Sequence, residues 1–205
     1  MSANAAVFTP PAQGTEDHEP RIVLSQVPWA AYVVLRDAIA SSGVRMTYLG
    51  GQLEIVSPSR KHEVSKKQIA RLLELFALER SIPLYGYGST TFREEKQERG
   101  LEPDECYCRG RDAEVPDVAL EVVVTASGID KLDVYRGLGV QEVWVFEEGA
   151  FRVEALRDHG GSRRYETLPQ SEILPEIDLA LLARFAAMPD QHDALQRFRD
   201  HLRQP

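Results

Sequence analysis

Glu102 to Tyr135 reads EPDECYCRGRDAEVPDVALEVVVTASGIDKLDVY, and its second half decides the fold. VALEVVV, residues 118–124, is apolar everywhere except at Glu121. A strand apolar on both faces is covered on both sides, so it is expected at the centre of a sheet. Lys131 to Leu138 fits a short helix closed by Gly139, and EVWVFE at 142–147 reads as the next strand. Upstream, 104–109 reads as a strand too. The two strands open alike, on Pro103-Asp104 and Pro116-Asp117.

Further out, Glu148-Gly149 turns the chain into a hairpin partner at 151–156, and 164–168 is expected as a last short strand. Residues 177–187 and 190–203 carry helical patterns. On the other side, a helix is expected over 28–40, capped by Ser25 and ended by Ser41-Ser42-Gly43. Trp29, Tyr32, Val33, Arg36 and Ile39 share its inner stripe. Residues 45–57 read as a hairpin around Gly50-Gly51. The next helix, 62–80, presents Ile69, Leu72, Leu73 and Phe76 as an apolar stripe. LYGYGSTTFR at 84–93 has the composition of one strand, and 94–100 that of a charged connection. The class is therefore α/β. A doubly wound nucleotide-binding sheet is excluded, since no G-x-G-x-x-G, P-loop or G-x-S-x-G motif occurs.

The chain has 205 residues, enough for one domain with a sizeable core. Residues 1–20 are expected to be a mobile tail, 21–188 the domain, and 189–205 a helical tail. Apolar residues make up 43% and charged residues 27%, the profile of a globular protein. No apolar run approaches the roughly 18 to 20 residues of a spanning helix, and the start lacks a signal-peptide layout, so a cytoplasmic location without a membrane partner is expected. A net charge of −8 argues against coating nucleic acid through bulk charge, but not against a local basic patch beside an acidic metal site. Cys106 and Cys108 lack the further Cys/His ligands of a zinc site and read as small buried hydrophobes.

On a strand, i and i+2 share a face. Asp117 and Glu121 thus sit on one strand, whereas Asp104 meets Glu121 across the ladder if the two strands are antiparallel neighbours. Such an acidic pair repels itself, and a hard divalent cation, Mg²⁺ or Mn²⁺, relieves the repulsion. A lysine nearby can position or deprotonate water or neutralise developing charge. Lys131 follows Glu121 by ten residues, and Tyr135 shares its helix face. Asp after Pro is also ordinary turn chemistry, and Glu121 also suits a buried salt bridge.

Several segments resemble one known family: RGLEPDECYCRG (99–110), PDVALEV (116–122), SGIDKLDVYRGLGVQEVWVFE (127–147), SPS-x-x-HE (57–63) and YGYGSTTFR (85–93). Together they are similar to the restriction-endonuclease domain family long carried as a domain of unknown function, within the PD-(D/E)XK nuclease superfamily. The resemblance covers roughly residues 25–185. It implies a restriction-endonuclease-like core of helix, three-strand meander, helix and strand, with an N-terminal helix and hairpin and C-terminal helices. It implies metal ligation by Asp104, Glu121 and the Val122 carbonyl. The usual catalytic lysine position holds Val123, so Lys131 is the expected substitute. Asp117, matching a second Pro-Asp, and Glu54, His62 and Tyr135 are expected in support. Arg60, Lys61, Lys66, Lys67 and Arg71 form the best local patch for nucleic acid.

The expected function is a Mg²⁺-dependent endonuclease acting on DNA phosphodiester bonds, working as a homodimer. The alternatives are a catalytically degenerate nuclease fold serving as a binding or assembly module, and a hydrolase of another phosphate ester.

Overall fold

The computed structural model describes residues 19–39, 43–111 and 113–204. In chain order these form β1 (Arg21–Leu24), α1 (Trp29–Ala38), β2 (Arg45–Leu49), β3 (Gln52–Val56) and α2 (Arg60–Glu79). Next come β4 (Leu84–Gly86), β5 (Phe92–Glu94), β6 (Arg99–Leu101), β7 (Glu105–Arg109) and β8 (Val118–Val123). The chain continues through α3 (Lys131–Leu138), β9 (Glu142–Glu147), β10 (Ala150–His159), β11 (Ser162–Leu168), α4 (Leu179–Ala186) and α5 (Gln191–Leu202). The architecture is mixed α/β, with five α-helices and two sheets among the described residues.

The larger sheet runs β11-β10-β9-β8-β7-β4, so β8 is interior as its sequence demands. It pairs antiparallel with β7 and parallel with β9. Parallel neighbours need a crossover connection, and α3 supplies it. Asp130 caps α3 by accepting from the Leu132 N–H at 3.0 Å, and Gly139 ends it at φ 82°. One face of β8 packs Leu120 and Val122 against Ile69, Leu72, Leu73 and Phe76 of α2. The other packs Ala119 against Val134 and Tyr135 of α3. Each fully buried aliphatic or Phe side chain here contributes about 1.5–3 kcal/mol. Cys106 and Cys108 are free and buried, and burial pushes the Cys106 thiol up to about 12.

The smaller sheet has the order β1-β3-β2-β6-β5. The β2–β3 hairpin forms around Gly50 (φ 49°) and Gly51 (φ 87°), as read from the sequence. The structure departs from the sequence reading at several points. Residues 84–93 are two strands in different sheets: β4 joins β7 and β5 joins β6, because the chain turns at Gly88 (φ 59°). The charged stretch 94–100 contains a 3-10 turn, Glu95–Gln97, and the start of β6. β1, unread in the sequence, adds an edge strand to β3. Ser25 does not cap α1; its N-cap is Pro28, with no side-chain hydrogen bond. Arg36, on the inner stripe as expected, is buried in an ion pair with Glu102. The expected end of this helix at Ser41-Ser42 lies outside the described residues.

Of the expected tail, 1–18 lie outside the described residues, and Glu19 is buried in the fold. At the other end, α5 buries Phe198 and Leu202 in the same cluster as Phe76 of α2. No helix among the described residues is long and apolar enough to cross a membrane.

Candidate functional site

Asp104 directly precedes β7, and the register Glu105↔Leu120 sets it beside Glu121 of β8. The two carboxylates are each 3% exposed. Asp104 Oδ2 accepts from the Val122 backbone N–H at 2.8 Å and lies 3.0 Å from His62 Nε2. His62 stands in the first turn of α2, where Ser59 accepts its N–H at 3.1 Å as N-cap. Lys131, the first residue of α3, places Nζ 2.6 Å from Glu121 Oε2. One helical turn later, the Tyr135 hydroxyl donates to Glu121 Oε1. The sheet thus brings two acids together, and the starts of two helices bring a cation to each.

The electrostatics follow from that pairing. Burial raises the Glu121 pKa and the Asp104 charge adds to this, while Lys131 pulls the other way. Burial acts on Asp104 in the same direction, but the His62 hydrogen bond and charge, with Lys131 and the Val122 N–H, outweigh it and hold Asp104 low. Burial disfavours charged His62, yet Asp104 and Glu63 overcome it and lift the imidazole to about 9. Burial is likewise overcome at Lys131, where Glu121 and Asp104 hold the amine above the ordinary lysine value. Near neutral pH the group therefore carries His62 and Lys131 as cations against the two acids.

A cavity of about 50 Å³ adjoins the group, with space for a few water molecules. Asp104, His62, Val122, Glu54 and Lys131 are among its walls. Lys131 is 29% exposed along its side chain and lines this cavity.

The loop from Thr125 to Asp130 sets where Lys131 begins, and the smaller sheet holds that loop. Glu54 of β3 accepts from Ser127 Oγ at 2.8 Å and from the Gly128 N–H at 2.6 Å. Arg21 of β1 ties to Glu54 at 3.1 Å and donates to the Ala126 carbonyl. Glu19 accepts from Thr125 Oγ1 at 2.7 Å. Glu54 was expected at the site and is a tether at its rim. Glu19, Arg21 and Ser127 were not expected. No local sequence pattern marks them, because the contacts that hold the loop span 73 to 106 residues.

Asp117 is not brought to the group. It sits at the other end of β8, about 13 Å of strand from Glu121. Its carboxylate accepts from the Arg109 N–H at 2.8 Å and from Gln141 Nε2 at 2.9 Å, joining β7 to the β9 approach. The basic patch on α2 is also not a free patch. Lys66 is buried and ion-paired to Glu63, and Lys67 lies 3.8 Å from Glu105. Arg71 donates to Gln191 at 3.1 Å. Arg60 and Lys61 are exposed.

Among the described residues no three His, Cys, Asp or Glu side chains are gathered to hold a metal. Mg²⁺ does not require three, since it keeps several waters and uses one or two carboxylates. Asp104 and Glu121 with the Val122 carbonyl are hard oxygen donors of the right kind. Asp104 Oδ1 has no hydrogen bond among the described residues, and each Glu121 oxygen retains a second lone pair beside its one donor. The donor set therefore fits Mg²⁺ or Mn²⁺, with the Lys131 ammonium as the competing charge.

A family model, Uma2, described as "Putative restriction endonuclease", matches residues 29–186. That span includes Glu54, His62, Asp104, Glu121, Lys131 and Tyr135. No curated protein matches the chain.

Proposed function

The chain belongs to the Uma2 family, and from that premise we propose that it is a divalent-metal-dependent endonuclease hydrolysing DNA phosphodiester bonds at the Asp104–Glu121–Lys131 group. The observation that carries this reading is the pair of buried carboxylates from neighbouring strands, with a lysine amine 2.6 Å from one of them. The order α2, β4, β7, β8, α3, β9 also supports it. These are a helix, three antiparallel strands, a crossover helix and a parallel strand, which we assign as the nuclease core. The β5–β6 pair is then an insertion between its first and second strands.

Asp104, Glu121 and the Val122 carbonyl would hold Mg²⁺ or Mn²⁺, which supplies Lewis-acid stabilisation of charge building on the phosphate. His62 and the Val122 N–H fix the orientation of Asp104, and Tyr135 fixes Glu121. Lys131 serves as a donor beside Glu121, its amine held above the ordinary lysine value by Glu121 and Asp104 before any cation binds. An ammonium has three N–H donors, so Lys131 can stay on Glu121 and still offer one to a phosphate oxygen. A homodimer would present one such group to each strand of a duplex.

A second reading, a nuclease fold kept as a binding module, draws on one feature. Both acids are already balanced by Lys131 and His62, with Val123 where an amine usually stands. Incubation of supercoiled plasmid and single-stranded DNA with Mn²⁺ separates the two. The parent is expected to cleave, and Lys131→Ala to cleave about a hundredfold more slowly. A parent inert on both substrates in Mn²⁺ and in Mg²⁺ removes the DNA endonuclease reading.

A further inference from the structure

At the far end of α3 from Lys131 lies a cleft of about 240 Å³ walled by Gln97, Arg99, Arg136, Ser162 and Arg163. No carboxylate lines it, in a chain with 32 acidic and 24 basic residues. Arg99 comes from β6, Arg136 from α3 and Arg163 from β11, so three separate elements deliver guanidiniums to one place.

Internal pairing does not account for the three charges. Asp133 is the one carboxylate they share: Arg136 pairs with it, and Arg99 Nη1 lies 3.7 Å from Oδ1. Arg99 also donates to the Asp133 carbonyl, and Arg136 to the Arg163 carbonyl at 3.4 Å. Arg163 is exposed and makes no ion pair among the described residues. Asp158 stands directly opposite Arg163 in the β10–β11 ladder, where its Oδ1 accepts from the Gly161 N–H at 2.7 Å and it makes no ion pair among the described residues. The C-terminus of α3 offers about half a negative charge. Subtracting that and Asp133 leaves about 1.5 positive charges, and counting Asp158 across the ladder still leaves about 0.5. Each guanidinium has five N–H donors, far more than these acceptors consume.

The backbone is also shaped for the arrangement. Arg99 lies flat on α3 at Gly137, where a Cβ would overlap its Cδ and Nε. Glycine inside a helix costs about 1 kcal/mol against alanine, and here it lets the guanidinium approach the helix end.

We propose that this cleft binds a phosphate group. Planar, forked N–H donors from three directions match phosphate oxygens, and arginine is the side chain suited to that recognition. Taking a backbone phosphate of DNA as the source rests on the nuclease reading above. α3 is eight residues, about 12 Å long, so the cleft and Lys131 lie within three to four base steps of one another.

The test is binding in EDTA, where no cleavage occurs. A labelled duplex of about twenty base pairs is followed by anisotropy at several salt concentrations, and pyrophosphate by calorimetry. Arg163→Ala is expected to weaken duplex binding several-fold and to lower the salt slope by about 1. Arg136→Ala/Arg163→Ala should weaken it about tenfold or more and lower the slope by about 2. Arg197→Ala removes the same charge from an exposed pair with Asp193 elsewhere and should change neither. Thermal melts identify a misfolded variant, and Arg163→Ala breaks no ion pair. The proposal is overturned if the parent binds duplex and the cleft variants bind it equally well, an outcome that leaves the nuclease reading standing. It is also overturned if Arg197→Ala weakens binding as much, or if the parent binds neither probe. Pyrophosphate bound without duplex, and lost in the double variant, upholds the cleft with free phosphate as its source and removes the DNA reading.

Discussion

Alanine at Glu121 is expected to lower DNA cleavage at least about a hundredfold while leaving the protein folded. Glu121 is one of two buried acids at the group and the only one bonded to Lys131. Its loss removes a metal-holding carboxylate and frees the lysine amine together. Lys131 keeps a second acidic neighbour in Asp104 and lines the cavity, so its charge is not left alone inside. Tyr135 is the weaker point, since its buried hydroxyl loses its acceptor at a cost of about 1–3 kcal/mol. Glu121→Gln separates charge from shape. It keeps the volume and one acceptor oxygen for Tyr135 or Lys131, and should be nearly as stable as the parent and equally inactive. A glutamine variant cleaving within a few-fold of the parent would show that Glu121 is structural only.

The second large effect concerns stability. Asp104→Ala is expected to cost about 3–5 kcal/mol in urea denaturation, a loss typical of breaking a buried ion pair from one side. Asp104 is buried with His62 at 3.0 Å and holds the Val122 N–H at 2.8 Å. Alanine takes the carboxylate acceptor from both buried donors at once. Asp104→Asn keeps one oxygen for Val122 and should cost clearly less. The double variant Asp104→Ala/His62→Ala should recover part of the loss, because the two residues act as one unit. A loss below about 1 kcal/mol for Asp104→Ala would contradict the buried pairing.

Much of this was legible along the chain because it is local. VALEVVV declares a strand with two covered faces, and β8 is interior. Gly139 ends α3, and the paired glycines frame the β2–β3 hairpin. The Asp104–Glu121 meeting was legible because strand alternation leaves few options. Three things were not. Asp117 was expected in support of the site, yet its carboxylate is taken up by the Arg109 N–H and Gln141, partners that no local pattern announces. The strands β1, β5 and β6 have three or four residues and little apolar pattern, so pairing partners alone define them. The basic run on α2 reads as a patch, but Glu63 and Glu105 lie against two of its lysines. The arginine cleft is the reverse case: residues 99, 136 and 163 are far apart in the chain and gather only in the fold.

The central claim is that the two acids hold a divalent cation, and calorimetric titration with Mn²⁺ addresses it without relying on activity. The parent is expected to bind one ion per chain, and Glu121→Ala to lose that binding. Lys131→Met should bind more tightly than the parent, because removing the ammonium removes the competing charge. No heat of binding in the parent at millimolar Mn²⁺, or equal binding in Glu121→Ala, would contradict the account.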